Sequence, residues 1–252
     1  MKVTVLGCGT SSGVPRIDGM WGTADPANPK NRRRRVSVWV EVGDVSLIID
    51  TSPDLREQCL SANVSRIDGV LYTHDHADHT HGIDDLRGFR HAQKQLIDIY
   101  GTAETLTVLR RRFDYIFAET LGYPPICEPH EITDTEPFEI KGVAIRPFRQ
   151  LHGPITSVGY RIGDMAYSTD VSGLTDQAWE TLEGVDTWIV DALRYDPHPT
   201  HPHLDMTLEW IARVKPRRAI LTHMTGDMDY DTLVKTLPDG VEPGNDGLSF
   251  EL

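Results

Sequence analysis

Hydrophobic residues in this chain come in short runs whose period changes along its length. Val3-Thr4-Val5-Leu6 is a β-branched run that Gly7, Gly9 and Gly13 break into a long polar loop through Pro15, Pro26 and Pro29. Val36, Val38 and Val40 alternate with Ser37, Trp39 and Glu41, and Gly43-Asp44 separates them from Val45-Ser46-Leu47-Ile48-Ile49-Asp50, which predicts a hairpin. Pro53 opens a predicted helix to about Leu60, and Ile67–Tyr72 reads as a strand running straight toward His74. Helix-like spacing follows over Ile83–Lys94 and Thr102–Phe113, then strand-like runs over Val143–Phe148 and Val158–Ile162. The last third alternates: a helix near Leu174–Leu182, a strand Trp188–Asp191, a helix near Met206–Val214, a strand Ala219–Thr222 and a short helix near Tyr230–Leu237. Hairpins followed by helix–strand alternation predict an α/β chain of two mixed sheets with helices packed outside. No repeat or low-complexity segment interrupts it, and 252 residues read as a single domain over 1–252.

Charge narrows the partners. Thirty-eight acidic residues against 25 Lys and Arg leave a formal charge of −13, which repels nucleic-acid polymers and anionic membranes and favours a small substrate. No stretch approaches the roughly 20 apolar residues of a membrane span. The N-terminus lacks the apolar region and cleavage site of a secretory signal. Cys8, Cys59 and Cys127 are odd in number and widely spaced, which suggests neither a disulfide framework nor a cysteine zinc site. A soluble, cytoplasmic protein is expected.

The chemistry concentrates in His74-Asp75-His76-Ala77-Asp78-His79. A lone histidine after a strand is usually a solvated surface residue, but His74, His76, Asp78 and His79 within six residues are not easily explained that way. In an extended segment His74 and His76 project to one side, while Asp78 and His79 turn toward a neighbouring point, so one loop can feed two adjacent metals. Imidazole and carboxylate donors without thiolate suit Zn, Mn or Fe and do not choose among them.

This pattern resembles the H-x-H-x-D-H motif of the metallo-β-lactamase superfamily, whose members add a His, an Asp and a final His downstream. Here those are His152 in Gln150-Leu151-His152-Gly153, Asp170 ending Met165–Asp170, and His223 ending Ala219–His223. The resemblance implies an αββα sandwich. It also implies two divalent ions, one held by His74, His76, His152 and Asp170, the other by Asp78, His79, Asp170 and His223, with Asp170 bridging. Asp50 resembles the superfamily carboxylate that orients a ligand histidine; a strand-terminal Asp capping the next helix is the competing reading.

A narrower resemblance runs through Gly7-Cys8-Gly9-Thr10-Ser11-Ser12-Gly13-Val14-Pro15, Asn31–Arg35 and Asn245-Asp246-Gly247. It is to the cyclic-phosphate phosphodiesterases of phosphonate catabolism, and it implies two ions, Mn or Zn, a small phosphodiester or nucleotide substrate, and a homodimer. His203 resembles a family histidine that assists leaving-group departure, which would make His203 and Asp78 the catalytic pair, whereas His198 and His201 read as a polar, proline-rich loop. Thr10, Ser11 and Ser12 are candidate phosphate donors, and Arg32–Arg35 read as a solvated or salt-bridged face without a role. Trp21–Pro29 contains no cysteine and Gly226 lies three residues after His223, so the structural zinc of some relatives is not expected. The same ligands also suit a lactone or thioester hydrolase, or a pyrroloquinoline quinone biosynthesis-like protein. Less favoured are a tRNA 3′-processing endonuclease, against which the charge speaks, and a non-catalytic nucleotide-binding or metal-storage protein.

Overall fold

The computed structural model describes residues 1–119 and 122–252. Its first sheet contains β1 (Lys2–Gly7), β2 (Ser37–Val42), β3 (Val45–Ile49), β4 (Gly69–Leu71), β5 (Ile97–Gly101) and β6 (Cys127–Glu131). The second contains β7 (Phe138–Ile140), β8 (Val143–His152), β9 (Ile155–Ile162), β10 (Met165–Ser168), β11 (Gly173–Leu174), β12 (Thr187–Asp191), β13 (Arg218–Thr222) and β14 (Val241–Pro243), and β15 (Ser249–Glu251) returns to the first, beside β1. Strand order is β15-β1-β2-β3-β4-β5-β6 in one sheet and β11-β8-β9-β10-β12-β13-β14 in the other, with β7 paired to β8. Both are mixed: β3 to β6 are mutually parallel, as are β10 and β12 to β14.

Alternation along the early strands explains the layering. Val3, Val5, Val38, Val40, Leu47 and Ile49 share one buried cluster with Ile145, Tyr160, Ile162 and Tyr167 of the second sheet. The intervening Leu6, Trp39 and Ile48 belong to a second cluster with Leu55 and Cys59 of α1 (Leu55–Ala62). That cluster also takes in Leu86 of α3 (Leu86–Gln93), which follows the single turn α2 (Ala77–Thr80), and Leu106 and Leu109 of α4 (Ala103–Arg112), which leads into α5 (Asp114–Phe117). α6 (Asp176–Leu182), α7 (Leu204–Val214) and α8 (Tyr230–Thr236) join the first cluster through Leu182, Trp210 and Leu233. Period 2 thus feeds two layers of core. Each fully buried Ile or Leu contributes about 1.5–3 kcal/mol to holding them.

The hairpin turns at Gly43-Asp44, where Val42 faces Val45 and Gly43 adopts φ 57. α1 begins at Leu55, two residues beyond Pro53, and β8 continues to His152 instead of stopping at Phe148. β6 escapes the hydrophobic pattern because it is an edge strand of sequence CEPHE with a single fully buried residue; Pro129 is tolerated there for the same reason. Among the described residues no helix is long and apolar enough to cross a membrane.

Candidate metal centre

Several strands deliver a polar residue to one place at the same end of the two sheets. β3 is followed by Asp50, β8 ends on His152, β10 is followed after Thr169 by Asp170, β12 ends on Asp191 and β13 is followed by His223. Asp50, Asp170 and His223 take left-handed backbone, with φ of 62, 52 and 58. Such conformations cost a non-glycine residue about 1–2 kcal/mol, and Asp is among the residues that tolerate them best. Each of these reversals ends a strand beside its ligand-type side chain, as strain at functional sites often does.

β4 leads through Tyr72 and Thr73 into His74. His76 caps α2, its carbonyl accepting from His79 N at 3.1 Å and Thr80 Oγ1 at 2.9 Å. His74 and His76 therefore leave an extended segment, whereas Asp78 and His79 leave a helical turn. Ligand-type atoms of His74, His76, His152 and Asp170 all lie within 4.8 Å of one another, and so do those of Asp78, His79, Asp170 and His223. Asp170 faces both groups: Oδ1 is 3.7 Å from His74 Nε2 and 3.5 Å from His152 Nε2, while Oδ2 is 3.0 Å from His79 Nε2 and 3.4 Å from His223 Nε2. Asp78 Oδ2 stands 3.3 Å from His79 Nε2 and 3.6 Å from His223 Nε2.

The donor set fits divalent cations. His74 Nε2, His79 Nε2 and both ring nitrogens of His223 are buried without a hydrogen-bond partner among the described residues, and each such orphan costs about 1–3 kcal/mol. Cations beside the three Nε2 atoms offset that cost there. Without them, burial pushes the His74 and His152 rings toward their neutral form, below the usual histidine range. At His79 and His223 the carboxylates of Asp170 and Asp78 outweigh burial, raising His79 well above its ordinary value and His223 to about 9. Asp78 and Asp170 are held low against burial by those same rings. Protons thus occupy the charge positions that cations suit.

Neighbours orient the rings. Asp50, fully buried, has Oδ2 2.7 Å from His79 Nδ1 and accepts from Thr73 through Oγ1 and N, both at 2.8 Å. The Thr200 carbonyl lies 2.8 Å from His152 Nδ1, so that nitrogen donates and Nε2 is left for the centre. Arg112, at the end of α4, donates to the Asp75 carbonyl and sets Nη2 3.3 Å from its carboxylate, tying α4 to the residue between His74 and His76.

Two sequence expectations need correction. The histidine beside the donor groups is His201, not His203: His201 Nε2 lies 3.7 Å from Asp170 Oδ1, and its ring stacks on His223 at 4.7 Å and 12°. Asp191, fully buried, holds His201 Nδ1 at 2.9 Å and accepts from Asp170 N at 3.0 Å. His203 takes the N-cap position of α7 without a side-chain capping hydrogen bond, and it joins none of the ligand groups among the described residues. Asp191 and His201 were missed, although Asp191 carries the strand-terminal signal of Asp50 and Asp170. The second correction concerns Arg33 alone, since Arg32 is solvated and Arg34 and Arg35 are salt-bridged as expected. Arg33 is buried, donating to the carbonyls of Thr225 at 3.0 Å and Met228 at 2.5 Å; Arg34 pairs with Asp246 at 3.0 Å and Arg35 with Asp54 at 2.9 Å. Only Arg32 is solvated.

Thr10 is buried and its N–H bonds Met224 O at 3.1 Å, beside His223, while Ser11 and Ser12 are exposed in the following turn. The Trp21–Asp25 segment lies directly on Thr225–Asp229, with Ala24 N bonded to Gly226 O at 2.8 Å. A Cβ on Gly226 would come within 2.3 Å of Trp21 O, so backbone approach requires glycine there.

A family model for the β-lactamase superfamily domain matches residues 46–224. The crystal structure of a diphosphatase from the PhnP family superposes with a TM-score of 0.91 at 36% identity, covering 100% of this chain and 96% of that one. Human tRNase Z, short form, superposes with a TM-score of 0.73 at 20% identity over 100% of this chain and 99% of that one, a likeness of fold. An octanoyltransferase of Porphyromonas gingivalis is 30% identical over 98% of this chain but only 51% of its own length, and a ribonuclease Z of Mycobacterium sp. strain KMS is 26% identical over 61% of this chain and 59% of its own. The chain spans between half and two thirds of these two relatives. With that model covering most of the chain, and two His/Asp donor groups meeting on one shared carboxylate, the chain belongs to the metallo-β-lactamase members of the β-lactamase superfamily.

Proposed function

We propose that this protein is a metal-dependent hydrolase that opens phosphoric diester bonds in small substrates, cyclic ribose phosphates or related nucleotide diesters, at a centre for two divalent ions. One observation carries the reading: the Asp170 carboxylate presents one oxygen to each donor group, with the His201 imidazole alongside. His74, His76, His152 and Asp170 would hold one ion, and Asp78, His79, Asp170 and His223 the other. When bound, such a pair lowers the pKa of water and neutralises charge on phosphoryl oxygens. Mn and Zn both suit these donors.

The chain's own groups supply the rest. Asp50 keeps the His79 ring turned so that Nε2 faces the centre. Asp191 holds His201 by Nδ1, leaving Nε2 to pass a proton to the departing alkoxide. Breaking a cyclic diester needs that proton, because an alkoxide leaves poorly without one. Likeness to a PhnP-family diphosphatase over the whole chain supports phosphoryl chemistry, and the charge of −13 supports a small substrate over a nucleic-acid polymer. Likeness to an octanoyltransferase favours, as a second reading, hydrolysis of an acyl ester or thioester by the same residues.

Phosphorus NMR of the phosphates, with proton NMR of the acyl substrates, separates the two. Protein loaded with Mn or Zn is incubated with nucleoside 2′,3′-cyclic phosphates, a lactone and a thioester. Metal-dependent appearance of a phosphomonoester is expected; inert phosphates beside a hydrolysed acyl substrate would overturn the diester reading in favour of the second.

A further inference from the structure

The buried ligand histidines differ in what stands behind them. Thr73 Oγ1 lies 3.0 Å from His74 Nδ1, Asp50 Oδ2 2.7 Å from His79 Nδ1 and the Thr200 carbonyl 2.8 Å from His152 Nδ1. His223 is the exception: its Nδ1 is buried without a hydrogen-bond partner among the described residues. No hydrogen bond to the ring turns Nε2 toward Asp78 and Asp170, so its direction rests on the backbone and on stacking against His201. That backbone is left-handed, at φ 58, a region that a histidine seldom occupies and keeps only where its surroundings over-determine it.

Two charged side chains fix that backbone from behind. Cys8 O accepts from Met224 N at 3.0 Å and Met224 O from Thr10 N at 3.1 Å, so the residue after His223 is bonded into the loop that follows β1. Asp246 ties that loop down: Oδ1 accepts from Cys8 N at 3.3 Å, and Oδ2 from Arg34 N at 2.8 Å and Arg34 Nε at 3.0 Å. One carboxylate thus joins the loop after β1, the entry to β2 and the segment between β14 and β15. That segment runs close beside the end of β13, with Gly244 N bonded to Leu221 O at 2.9 Å, and a Cβ on Gly244 would come within 2.6 Å of the same oxygen. On the other flank, Arg33 donates to the carbonyls of Thr225 at 3.0 Å and Met228 at 2.5 Å.

We propose that Asp246 and Arg33 are positioning residues for His223, an inference that rests on the two-ion centre above: they hold its left-handed backbone so that Nε2 meets the ion shared with Asp78, His79 and Asp170. Neither belongs to a donor group among the described residues. Each acts through peptide groups, Asp246 by way of Cys8 on Met224 and Arg33 directly on Thr225. Removing either lets His223 relax toward ordinary backbone and swings its ring off the ion. His74 and His152 keep their own supports, so the other ion is spared.

A double-mutant cycle on the full chain, read by chelator competition with zinc, tests this apart from turnover. Asp246→Asn should weaken one of the bound ions at least about tenfold, the range found when the support of a metal ligand is removed. In a His223→Ala background the same change should move zinc affinity less than about twofold, because the side chain it positions is gone. Arg33→Lys keeps the charge but loses the fork that spans two carbonyls, and should show the same dependence on His223; it carries the test should Asp246→Asn not fold. Asp68→Asn is the control for general loosening, since Asp68 bonds Ser46 N and Lys141 at the start of β4, away from its His74 end. A lower melting temperature with unchanged zinc affinity is expected of it. Equal losses with and without His223, a matching loss in Asp68→Asn, or no loss in either clamp variant would overturn the proposal. Undiminished zinc affinity in His223→Ala alone would instead overturn the two-ion centre, and the clamp with it.

Discussion

Asp50→Asn isolates the role of the carboxylate behind His79. Asparagine keeps the shape and tolerates the φ of 62 at this position, so the fold should survive. Asp50 accepts three hydrogen bonds: from Thr73 N and Oγ1 at 2.8 Å and, with the proton on Nδ1, from His79 at 2.7 Å. An amide has one acceptor oxygen. With that oxygen on Thr73 N, the amide NH₂ faces His79 Nδ1 and forces it to become the acceptor, which moves the ring proton to Nε2, where it points at Asp170 and the cation position. Losing one charge-assisted hydrogen bond costs about 1.5–3 kcal/mol, a factor of roughly 10 to 100 in affinity, the range found when partners behind metal ligands are removed. Chelator-competition titration with Mn or Zn reads this directly, with circular dichroism and a thermal melt as controls for folding. The larger loss should fall on the ion held by Asp78, His79, Asp170 and His223. A folded variant with wild-type affinity for both ions would refute the argument that Asp50 sets the His79 tautomer.

Asp170→Ala should abolish turnover and strip bound metal, as judged by elemental analysis; metal and rate both retained would dismantle the two-group centre. His201→Ala should lower the rate by about 10²–10⁴ with metal content intact, while His203→Ala changes it little, and the reverse pattern would restore His203 to the reaction. Arg112→Ala and Asp75→Ala should each weaken metal binding on the His74/His76 side, and a double-mutant cycle should return about 0.5–1 kcal/mol of coupling for this partly exposed pair; additivity would show that the contact does not position the loop. In the metal-free protein, His223 at about 9 lies above its unfolded value, so its contribution is full below about pH 6.5 and is lost as pH rises through 9. That contribution is on the order of 3 kcal/mol at most. Melting temperature of chelated protein should fall between pH 7 and 9.5 and that of metal-loaded protein should not, because ion binding needs the neutral ring; parallel curves would reject the linkage.

The chain's local patterns already contained much of this protein. Period-2 alternation in Val36–Ile49 marks the hairpin and both of its buried faces, and His74, His76, Asp78 and His79 within six residues mark the metal loop, because strand period and motif spacing are properties of neighbouring residues. Tertiary structure decided the rest. β6 and the short returning strands carry few buried side chains of their own and exist because a partner strand satisfies their backbone. His201 and His203 are two residues apart and equally histidine, and they were separated only by where α7 begins and by Asp191 waiting at the end of β12. Arg33 looks like one of four equal charges until the Thr225–Met228 segment closes over it. Asp50, His79, Asp170 and His223 are far apart along the chain, and the pairing of parallel strands, which no local window reports, is what brings their ends together.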